Sequence, residues 1–285
     1  MKRWALLAAA AGLFAAQQVL MVPGDSRLAE AVHNVMHVPW FAVLTLVLVA
    51  LSGLRVGLCV AVIAALASEL LQVWTGREPS VADLARNGLG MVLAGGIVLF
   101  RGGRRLAGGV VAVLVVALAG WGVAEALIER QRAAAVFPVM LDAGTRENFF
   151  FLEGTTPISA ERSGVRVDIT DAAWPGVHIT EPVPDWRGYD ALELEVSAAT
   201  PMPLNVGLRL TPTGGSTTFQ ALTLKTGRHT YVVRLSALLP EPAAAVHDVF
   251  IYSSPRHAGQ QFTLHRVVLT ECGSSGPGRS CPDLR

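Results

Sequence analysis

Seven polar residues of the first half of the chain have side chains that are able to do acid–base chemistry or to bind a polar ligand. Six of them fall in the segment ELLQVWTGREPSVADLARNGLG (69–90), and the seventh precedes it: Glu69, Gln72, Arg77, Ser80, Asp83, Asn87 and His37. A carboxylate or an imidazole can transfer a proton, and a guanidinium suits bidentate contact with a phosphate. The set therefore predicts a polar site, in which His37, Glu69 and Asp83 are the candidates for an acid or a base.

Helical spacing would place these residues on shared faces. Glu69 and Gln72 are three residues apart, and Asp83, Asn87 and Gly90 follow one another at intervals of four and three. Residues so spaced are neighbours on a helix surface. Ionisable groups within apolar spans are costly, and they usually face a partner or a function. We expect a ligand-binding site framed by two membrane helices.

Simpler interpretations of the same residues remain open. Asp83 alone could cap a helix, Asn87 could form a hydrogen bond between helices, and Arg77 could neutralise a carboxylate only to hold the helices together. The sequence contains no nucleophile elbow and no His/Cys cluster at metal-binding spacing beyond the single pair His33 and His37. We therefore predict no metal and no cofactor, and we assign no catalytic residue.

The order of these residues resembles that of the VanZ-like family of small integral membrane proteins. The resemblance rests on the run from Glu69 to Gly90 with His37 before it, and it covers residues 1–130. Asn34 departs from the family pattern, which has a Lys three residues before the His. The resemblance implies a helical membrane domain of the cell envelope, in a family linked to glycopeptide resistance without an established reaction.

Composition divides the chain into two parts. The length of 285 residues suggests about two domains. The hydrophobic content of 52% and the mean hydropathy of +0.45 are high, and nearly all long apolar runs precede residue 128. The formal net charge of +1 provides no basic field, so we exclude nucleic acid as a partner.

Five apolar spans are predicted, at 4–22, 38–54, 56–74, 83–100 and a last one that ends near 127. The first span has a rival interpretation as a cleaved signal peptide. With the N-terminus in the cytoplasm, most basic residues of the short connections are cytoplasmic: Lys2, Arg3, Arg55, Arg101, Arg104 and Arg105. The outer connections carry Asp25, Glu30 and Glu78 and fewer basic residues. We expect a multi-pass protein of the inner or plasma membrane, with its polar site at the outer leaflet and its C-terminal domain outside.

Beyond the apolar part, the hydrophobic period changes to two. Val165, Val167 and Ile169 alternate with polar residues, and further candidate strands lie at 192–196, 204–210, 219–224, 231–235, 249–252 and 262–269. Short alternating strands separated by Gly, Pro and Thr turns predict an antiparallel β-sandwich. The predicted fold class is thus a helical membrane domain followed by an all-β sandwich.

The segments DWRGYDALELEV (185–196), TGRHTYVVRLSAL (226–238) and FTLHRVVL (262–269) resemble, in this order, jelly-roll carbohydrate-binding and galactose-binding-like modules. The resemblance covers residues 147–270. The predicted domains are a transmembrane domain (1–130), a linker (131–146), an external sandwich (147–270) and a flexible tail (271–285).

Four residues of the sandwich are candidates for glycan contact, because sugar sites need exposed aromatic planes beside polar groups: Trp174, His178, Trp186 and Tyr252. Trp174 and Trp186 could instead be core residues whose rings pack inside the sandwich. Cys272 and Cys281 flank a Gly/Ser-rich loop and could form a disulfide outside the cytoplasm, or stay free thiols in the tail. Cys59, in an apolar span, is expected to pack as a small residue.

These observations predict a VanZ-like cell-envelope protein that binds a lipid headgroup, a glycan or a glycopeptide at the outer leaflet, with the sandwich as a glycan-binding module. Its expected partners are the lipid membrane and an envelope glycan. Two alternatives stay open: a membrane-embedded hydrolase or transferase acting on a lipid-linked substrate, and a membrane-anchored protein-docking module.

The predicted topology can be tested by labelling single reporter cysteines at Ser80, Arg104 and Ser216 in intact cells. We expect a membrane-impermeant thiol reagent to label Ser80→Cys and Ser216→Cys but not Arg104→Cys, since only the last lies in a cytoplasmic loop. Labelling of Arg104→Cys alone would invert the topology and place the sandwich in the cytoplasm.

Overall fold

A computed structural model describes residues 2–19, 26–74, 79–161, 163–210, 218–238 and 246–271. The chain separates into two compact units, Met1–Leu127 and Ile128–Arg285. The first unit is helical and the second is built of antiparallel strands, which confirms the predicted fold class. Arg77, Ser216, Cys272 and Cys281 lie outside the described residues.

The helical unit is formed by long apolar helices. Its helices are α1 (Lys2–Val19), α2 (Arg27–Ser52), α3 (Leu54–Trp74), α4 (Val81–Arg101) and α5 (Arg105–Val136). The last four are long and apolar enough to cross a membrane, whereas the apolar stretch described in α1, Arg3–Ala16, is shorter. About 20 apolar residues are needed to cross the hydrocarbon core. The composition and lengths of these helices are therefore those of a membrane part.

Helix α2 begins eleven residues before the predicted span at 38. Ser26 is its N-cap, and the Ser26 hydroxyl accepts a hydrogen bond from the backbone N–H of Ala29 at 3.0 Å. A capping serine satisfies an N–H group that has no partner within the helix. The sequence placed His37 at the start of the second span. In the structure it lies well inside α2 instead.

The segment 131–146, expected as a linker, has regular structure instead. Helix α5 continues to Val136, and the first strand, β1, covers Val139–Asp142. Ala133 and Met140 are buried in the core of the second unit. The mixed composition of this segment reflects an amphipathic helix end and a half-buried strand.

Helices α2 and α4 approach each other closely at Gly90. A Cβ atom added there would lie 2.5 Å from the carbonyl oxygen of Val38 and 2.7 Å from the Cβ of Phe41. Small residues permit such backbone approach between membrane helices. The approach places His37 of α2 within hydrogen-bond distance of Asn87 of α4.

The second unit is a sandwich of two antiparallel sheets. Its remaining strands are β2 (Leu152–Gly154), β3 (Ile158–Ala160), β4 (Val165–Asp168), β5 (Gly176–Thr180), β6 (Ala191–Ala198), β7 (Met202–Arg209), β8 (Thr218–Leu224), β9 (Gly227–Arg234), β10 (Asp248–Tyr252) and β11 (Gln261–Thr270). One sheet has the order β3-β4-β11-β6-β9, with β1 paired to β11, and the other has the order β2-β5-β10-β7-β8. The strands β4 to β11 thus form the two four-stranded sheets of a jelly roll, β4-β11-β6-β9 and β5-β10-β7-β8. A short helix, α6 (Leu235–Leu238), follows β9.

Alternation along each strand divides core from surface. In β6, Leu192, Leu194 and Val196 are buried between the sheets, whereas Glu193 and Glu195 face outward. Successive side chains of a strand point to opposite faces, so the inward residues of both sheets share one core. The outward residues of β5, β10, β7 and β8 form the outer face of the five-stranded sheet.

The contact at Gly90 yields a prediction with a matched control in the same helix. Gly90→Ala should destabilise the helical unit by about 1–3 kcal/mol, because the added methyl group overlaps the α2 backbone. Gly88→Ala, whose added Cβ has no atom within 4 Å, should leave the stability unchanged or raise it slightly. Melting temperatures of the purified chain in detergent measure both. Equal melting temperatures of the two variants would contradict the close approach.

Candidate functional site

The outer face of the five-stranded sheet carries a cleft lined mainly by aromatic side chains. Its volume is about 230 Å³, and its described lining residues are Thr155, Trp174, Val177, His178, Phe219, Phe250 and Tyr252. These residues come from β5, β8, β10 and the segments that precede β3 and β5. We call this region the aromatic cleft.

Strand register brings the lining residues together. His178 of β5 lies opposite Phe250 of β10, which in turn lies opposite Gly207 of β7. Gly207 lies opposite Phe219 of β8. Side chains opposite each other on neighbouring strands share one face and contact each other. One row of residues therefore crosses four strands, and it supplies three of the rings of the cleft.

The rings are arranged around Tyr252. The Tyr252 ring makes edge-to-face contacts with Trp174 and with Phe219, each with ring centroids 5.2 Å apart. Trp174 is 62% exposed and Phe219 is 46% exposed. The imidazole of His178 stacks parallel to Phe250, with centroids 5.4 Å apart. Two exposed aromatic rings thus flank a more buried tyrosine.

Two glycines allow close contacts beneath the cleft, one with the Phe219 ring and one with the strand that carries Tyr252. A Cβ atom at Gly207 would lie 2.3 Å from Cδ1 of Phe219, and one at Gly176 would lie 2.8 Å from the Cβ of Tyr252. A glycine within a strand often marks such a close approach. Without Gly207 the Phe219 ring would have to shift away from the sheet, and without Gly176 the β10 backbone at Ile251 and Tyr252 would have to move away from β5.

The charged groups beside the aromatic cleft are paired. The carboxylate of Glu153 lies 3.5 Å from Nε2 of His178. Arg209 forms an ion pair with Asp248, which is completely buried, and Asp248 also lies 3.0 Å from Nδ1 of His247. The guanidinium carbon of Arg209 is 5.6 Å from the centroid of Phe250, a cation–π distance.

Burial also affects the tyrosine of the cleft. Removal from solvent raises the pKa of the Tyr252 phenol above its ordinary value, because burial disfavours the phenolate. Its hydroxyl group therefore stays protonated at neutral pH. In that state it can both donate and accept a hydrogen bond with a ligand.

The structure brings three of the four predicted glycan-contact residues together: Trp174, His178 and Tyr252 all line the aromatic cleft. Trp186 does not, and its inclusion is corrected here. Its side chain is 1% exposed in the core, and its indole N–H donates to the carbonyl oxygen of Val183 at 2.8 Å. A ring buried in this way presents no plane to a ligand.

Sequence reasoning missed Thr155, Val177, Phe219 and Phe250. A signal was present for both phenylalanines, since each occupies an outward position in a strand predicted by alternation. Aromatic residues at the outward-facing positions of a strand, where polar residues are expected, indicate an exposed aromatic surface.

In the helical unit, the described members of the predicted polar site are mostly buried. The buried ones are His37, Glu69, Gln72, Asp83 and Asn87. Nδ1 of His37 lies 3.0 Å from Oδ1 of Asn87. Because an amide oxygen only accepts hydrogen bonds, Nδ1 is the donor, and Nε2 carries the lone pair when the ring is neutral.

Ser80 joins the polar residues of α3 to those of α4. Its backbone N–H donates to Oε2 of Glu69 at 2.9 Å, and its hydroxyl accepts from the backbone N–H of Asp83 at 3.3 Å. Ser80 is thus the N-cap of α4, and the interpretation of Asp83 as the cap is wrong. The Asp83 carboxylate forms an ion pair with Arg86 instead.

We call the described members of this site the polar cluster: His37, Glu69, Gln72, Ser80, Asp83 and Asn87. Two of its buried polar atoms have no hydrogen-bond partner in the described part of the chain, Oε1 of Glu69 and Nδ2 of Asn87. Buried polar atoms are nearly always hydrogen-bonded, so each exception needs an explanation. Within the described ranges, no group of three or more His, Cys, Asp or Glu side chains is arranged to hold a metal ion.

No protein-family model and no curated protein matches this chain. The VanZ-like resemblance therefore stays a prediction. The class that the structure itself defines is a set of membrane-type helices joined to a jelly-roll β-sandwich.

Solved structures show distant likenesses. An exo-β-agarase aligns over 50% of this chain with a TM-score of 0.38 and 9% identity, and the alignment covers only 26% of the agarase chain. A mutant of a family 29 carbohydrate-binding module aligns over 47% of this chain and 90% of its own, with a TM-score of 0.37 and 10% identity. A family 11 carbohydrate-binding module from Clostridium thermocellum, in complex with a β-1,3-1,4-mixed-linked tetrasaccharide, aligns over 42% of this chain and 84% of its own, with a TM-score of 0.31 and 12% identity. At identities and TM-scores this low, the chemistry of the cleft has to be inferred from its own side chains.

Proposed function

We propose that this protein is a membrane-anchored glycan-binding protein of the cell envelope and that the aromatic cleft holds the glycan. The observation that supports this proposal most directly is that two exposed rings, Trp174 and Phe219, both contact Tyr252. The apolar C–H face of a sugar packs on an aromatic plane, while its hydroxyl groups need polar partners nearby. Thr155, His178 and the phenol of Tyr252 supply such partners.

The size of the cleft favours a narrow sugar chain over a docked protein. A stable protein interface buries about 800 Å² on each partner and involves about 20–30 residues on each side. The aromatic cleft has seven described lining residues and a volume of about 230 Å³. Ligand sites are typically concave and apolar with a few placed polar groups, as this cleft is. The charge bias of the short loops supports a position of the sandwich on the extracytoplasmic side of the membrane, where envelope glycans lie.

Substitution of the exposed rings provides the test. In detergent, the full chain should be retarded in native gels that contain a glycan, assayed over a panel of soluble plant, algal and bacterial cell-wall polysaccharides. Trp174→Ala and Phe219→Ala should each weaken binding about tenfold, which corresponds to about 1.4 kcal/mol for a lost stacking contact.

Ile158→Ala is the matched control, because Ile158 is an apolar side chain of similar exposure (37%) on the other sheet. It should bind as the unmodified chain does. An equal loss in all three variants, or no retardation by any polysaccharide, would contradict the proposal. Retention of an envelope protein instead, dependent on Trp174, would favour the docking alternative.

A second function is proposed for the polar cluster of the helical unit: binding the headgroup of a lipid-linked envelope ligand. The observation that favours it is the pair of unpartnered atoms, Oε1 of Glu69 and Nδ2 of Asn87, in the described structure. A buried polar atom without a partner costs about 1–3 kcal/mol. A ligand that donates to the carboxylate and accepts from the amide, such as a hydroxyl or amide group of a glycan or glycopeptide headgroup, would recover this cost.

The hydrolase or transferase alternative uses the same residues. With Nδ1 of His37 bound to Asn87, Nε2 is the nitrogen that could accept a proton from a water or a hydroxyl group. Binding a headgroup requires fewer positioned side chains than catalysing its reaction does. We therefore prefer the binding function, and observed turnover of a lipid-linked substrate would favour the enzyme instead.

The polar cluster can be tested with a polyprenyl-diphosphate-linked glycan and the full chain in nanodiscs. Glu69→Gln should reduce binding about tenfold, because the neutral amide replaces the carboxylate that accepts from the ligand and from Ser80. Glu125→Gln is the control, since Glu125 is an exposed carboxylate in the apolar helix α5. Native mass spectrometry measures the bound fraction.

Release of product by the unmodified chain, absent in Glu69→Gln, would favour the enzyme. If Glu69→Gln and Glu125→Gln bind equally, the polar residues hold the helices together and do not form a ligand site.

A further inference from the structure

We infer that the aromatic cleft selects an uncharged glycan segment that spans several sugar units, and that it rejects acidic polymers and single sugars. This inference rests on the proposed function of the cleft as a glycan site. It adds the charge and the length of the ligand, and both follow from the side chains in and beside the cleft.

The lining supplies no cation for an acidic sugar. None of the seven described lining residues is a lysine or an arginine. Uronate and sulfate groups are recognised best by a guanidinium or an ammonium group that is free to approach them. The cleft therefore lacks, among its described residues, the usual partner of an anionic glycan.

The arginine beside Phe250 is already engaged. Arg209 lies over the Phe250 ring, but it forms an ion pair with Asp248 through two of its nitrogens, Nε and Nη2. Asp248 is completely buried, so the pair cannot be opened without leaving a buried carboxylate uncompensated. Arg209 can still offer Nη1 to a sugar hydroxyl group, but its charge is balanced.

On the other side of Phe250, a carboxylate and an imidazole lie at the edge of the cleft. Glu153 lies opposite His178 in the strand register, and its carboxylate is 3.5 Å from the His178 ring. The Glu153 side chain is 49% exposed, so an incoming polymer meets this carboxylate at the edge of the cleft. A carboxylate accepts hydrogen bonds but donates none, so it offers no favourable contact to an acidic group, whereas the hydroxyl groups of a neutral glycan can donate to it.

The length of the ligand follows from the two exposed rings. Trp174 precedes β5, on one side of β10, and Phe219 lies in β8, beyond β7 on the other side. Each ring contacts Tyr252 at a centroid distance of 5.2 Å. One sugar ring can stack on one of these aromatic planes at a time. A segment with several sugars can contact both planes while its middle lies over Tyr252, so affinity should rise with chain length.

Matched pairs of polymers test the charge selection. The full chain in detergent is run in native gels at low ionic strength that contain hydroxyethylcellulose or carboxymethylcellulose, and dextran or carboxymethyl dextran. We expect retardation by at least one neutral polymer and at least tenfold weaker binding of its acidic counterpart. A hexasaccharide of the retained backbone should compete, and its monosaccharide should not.

A charge reversal at the edge of the cleft completes the test. Glu153→Lys should raise the affinity for the acidic counterpart severalfold, because it places an ammonium group at the edge of the cleft where a carboxylate stood. Glu161→Lys makes the same charge change beside the other sheet at a similar exposure, 42%, and should leave the preference unchanged. Both side chains are half exposed, so neither substitution should prevent folding.

The outcomes separate this inference from the function on which it rests. Binding of an acidic polymer as strongly as of its neutral counterpart would overturn the inference and leave the glycan site standing. Equal behaviour of Glu153→Lys and Glu161→Lys, or full competition by a monosaccharide, would also overturn it. No retardation by any polymer would overturn the glycan site itself.

Discussion

The register of strand β10 is the constraint on which both the core and the cleft depend. β10 is the middle strand of its sheet and pairs with β5 on one side and with β7 on the other. Val249 and Ile251 are completely buried between the sheets, and Phe250 and Tyr252 therefore face outward into the aromatic cleft. A shift of one residue would exchange the two sets, which would bury the Tyr252 hydroxyl and expose two aliphatic side chains. The same pairing that stabilises the sandwich thus positions the rings.

In the helical unit, the corresponding constraint is the cost of polar groups among apolar helices. Such groups persist where they find partners, and three contacts connect α2, α3 and α4: His37 with Asn87, Glu69 with the backbone of Ser80, and the Gly90 contact with Val38. The glycine permits the helices to approach, and the approach allows the hydrogen bonds to form. Packing and polar contacts therefore support one another, and they leave a carboxylate oxygen and an amide nitrogen buried without a described partner.

Much of the fold was predictable because it follows from local periodicity. Seven strands of the sandwich show alternation in the sequence, and β4 and β6 to β11 form where it indicates. Strand β5 was missed, since GVHIT has only two apolar side chains facing the core, next to a glycine and after Pro175. Strands β1, β2 and β3 have three or four residues each, too few for a periodic signal. The early start of α2 depends on the cap at Ser26, in a stretch whose polar residues indicated a loop.

The candidate cleft was less accessible from sequence, because tertiary register decides which aromatic side chains are exposed. Trp174 and Trp186 both lie in Pro-containing segments next to strands, yet one is 62% exposed and the other 1% exposed. Local sequence does not distinguish them, since the difference arises from the surrounding core and from the Val183 carbonyl that satisfies the indole of Trp186. Phe219 and Phe250 share the cleft only because Gly207 lies between them on β7. The glycine leaves space above the sheet, the Phe219 ring occupies it, and the aromatic surface becomes continuous across four strands. A larger residue at that position would divide this surface into two separate patches, so the smallest residue in the row determines how far a ligand can extend.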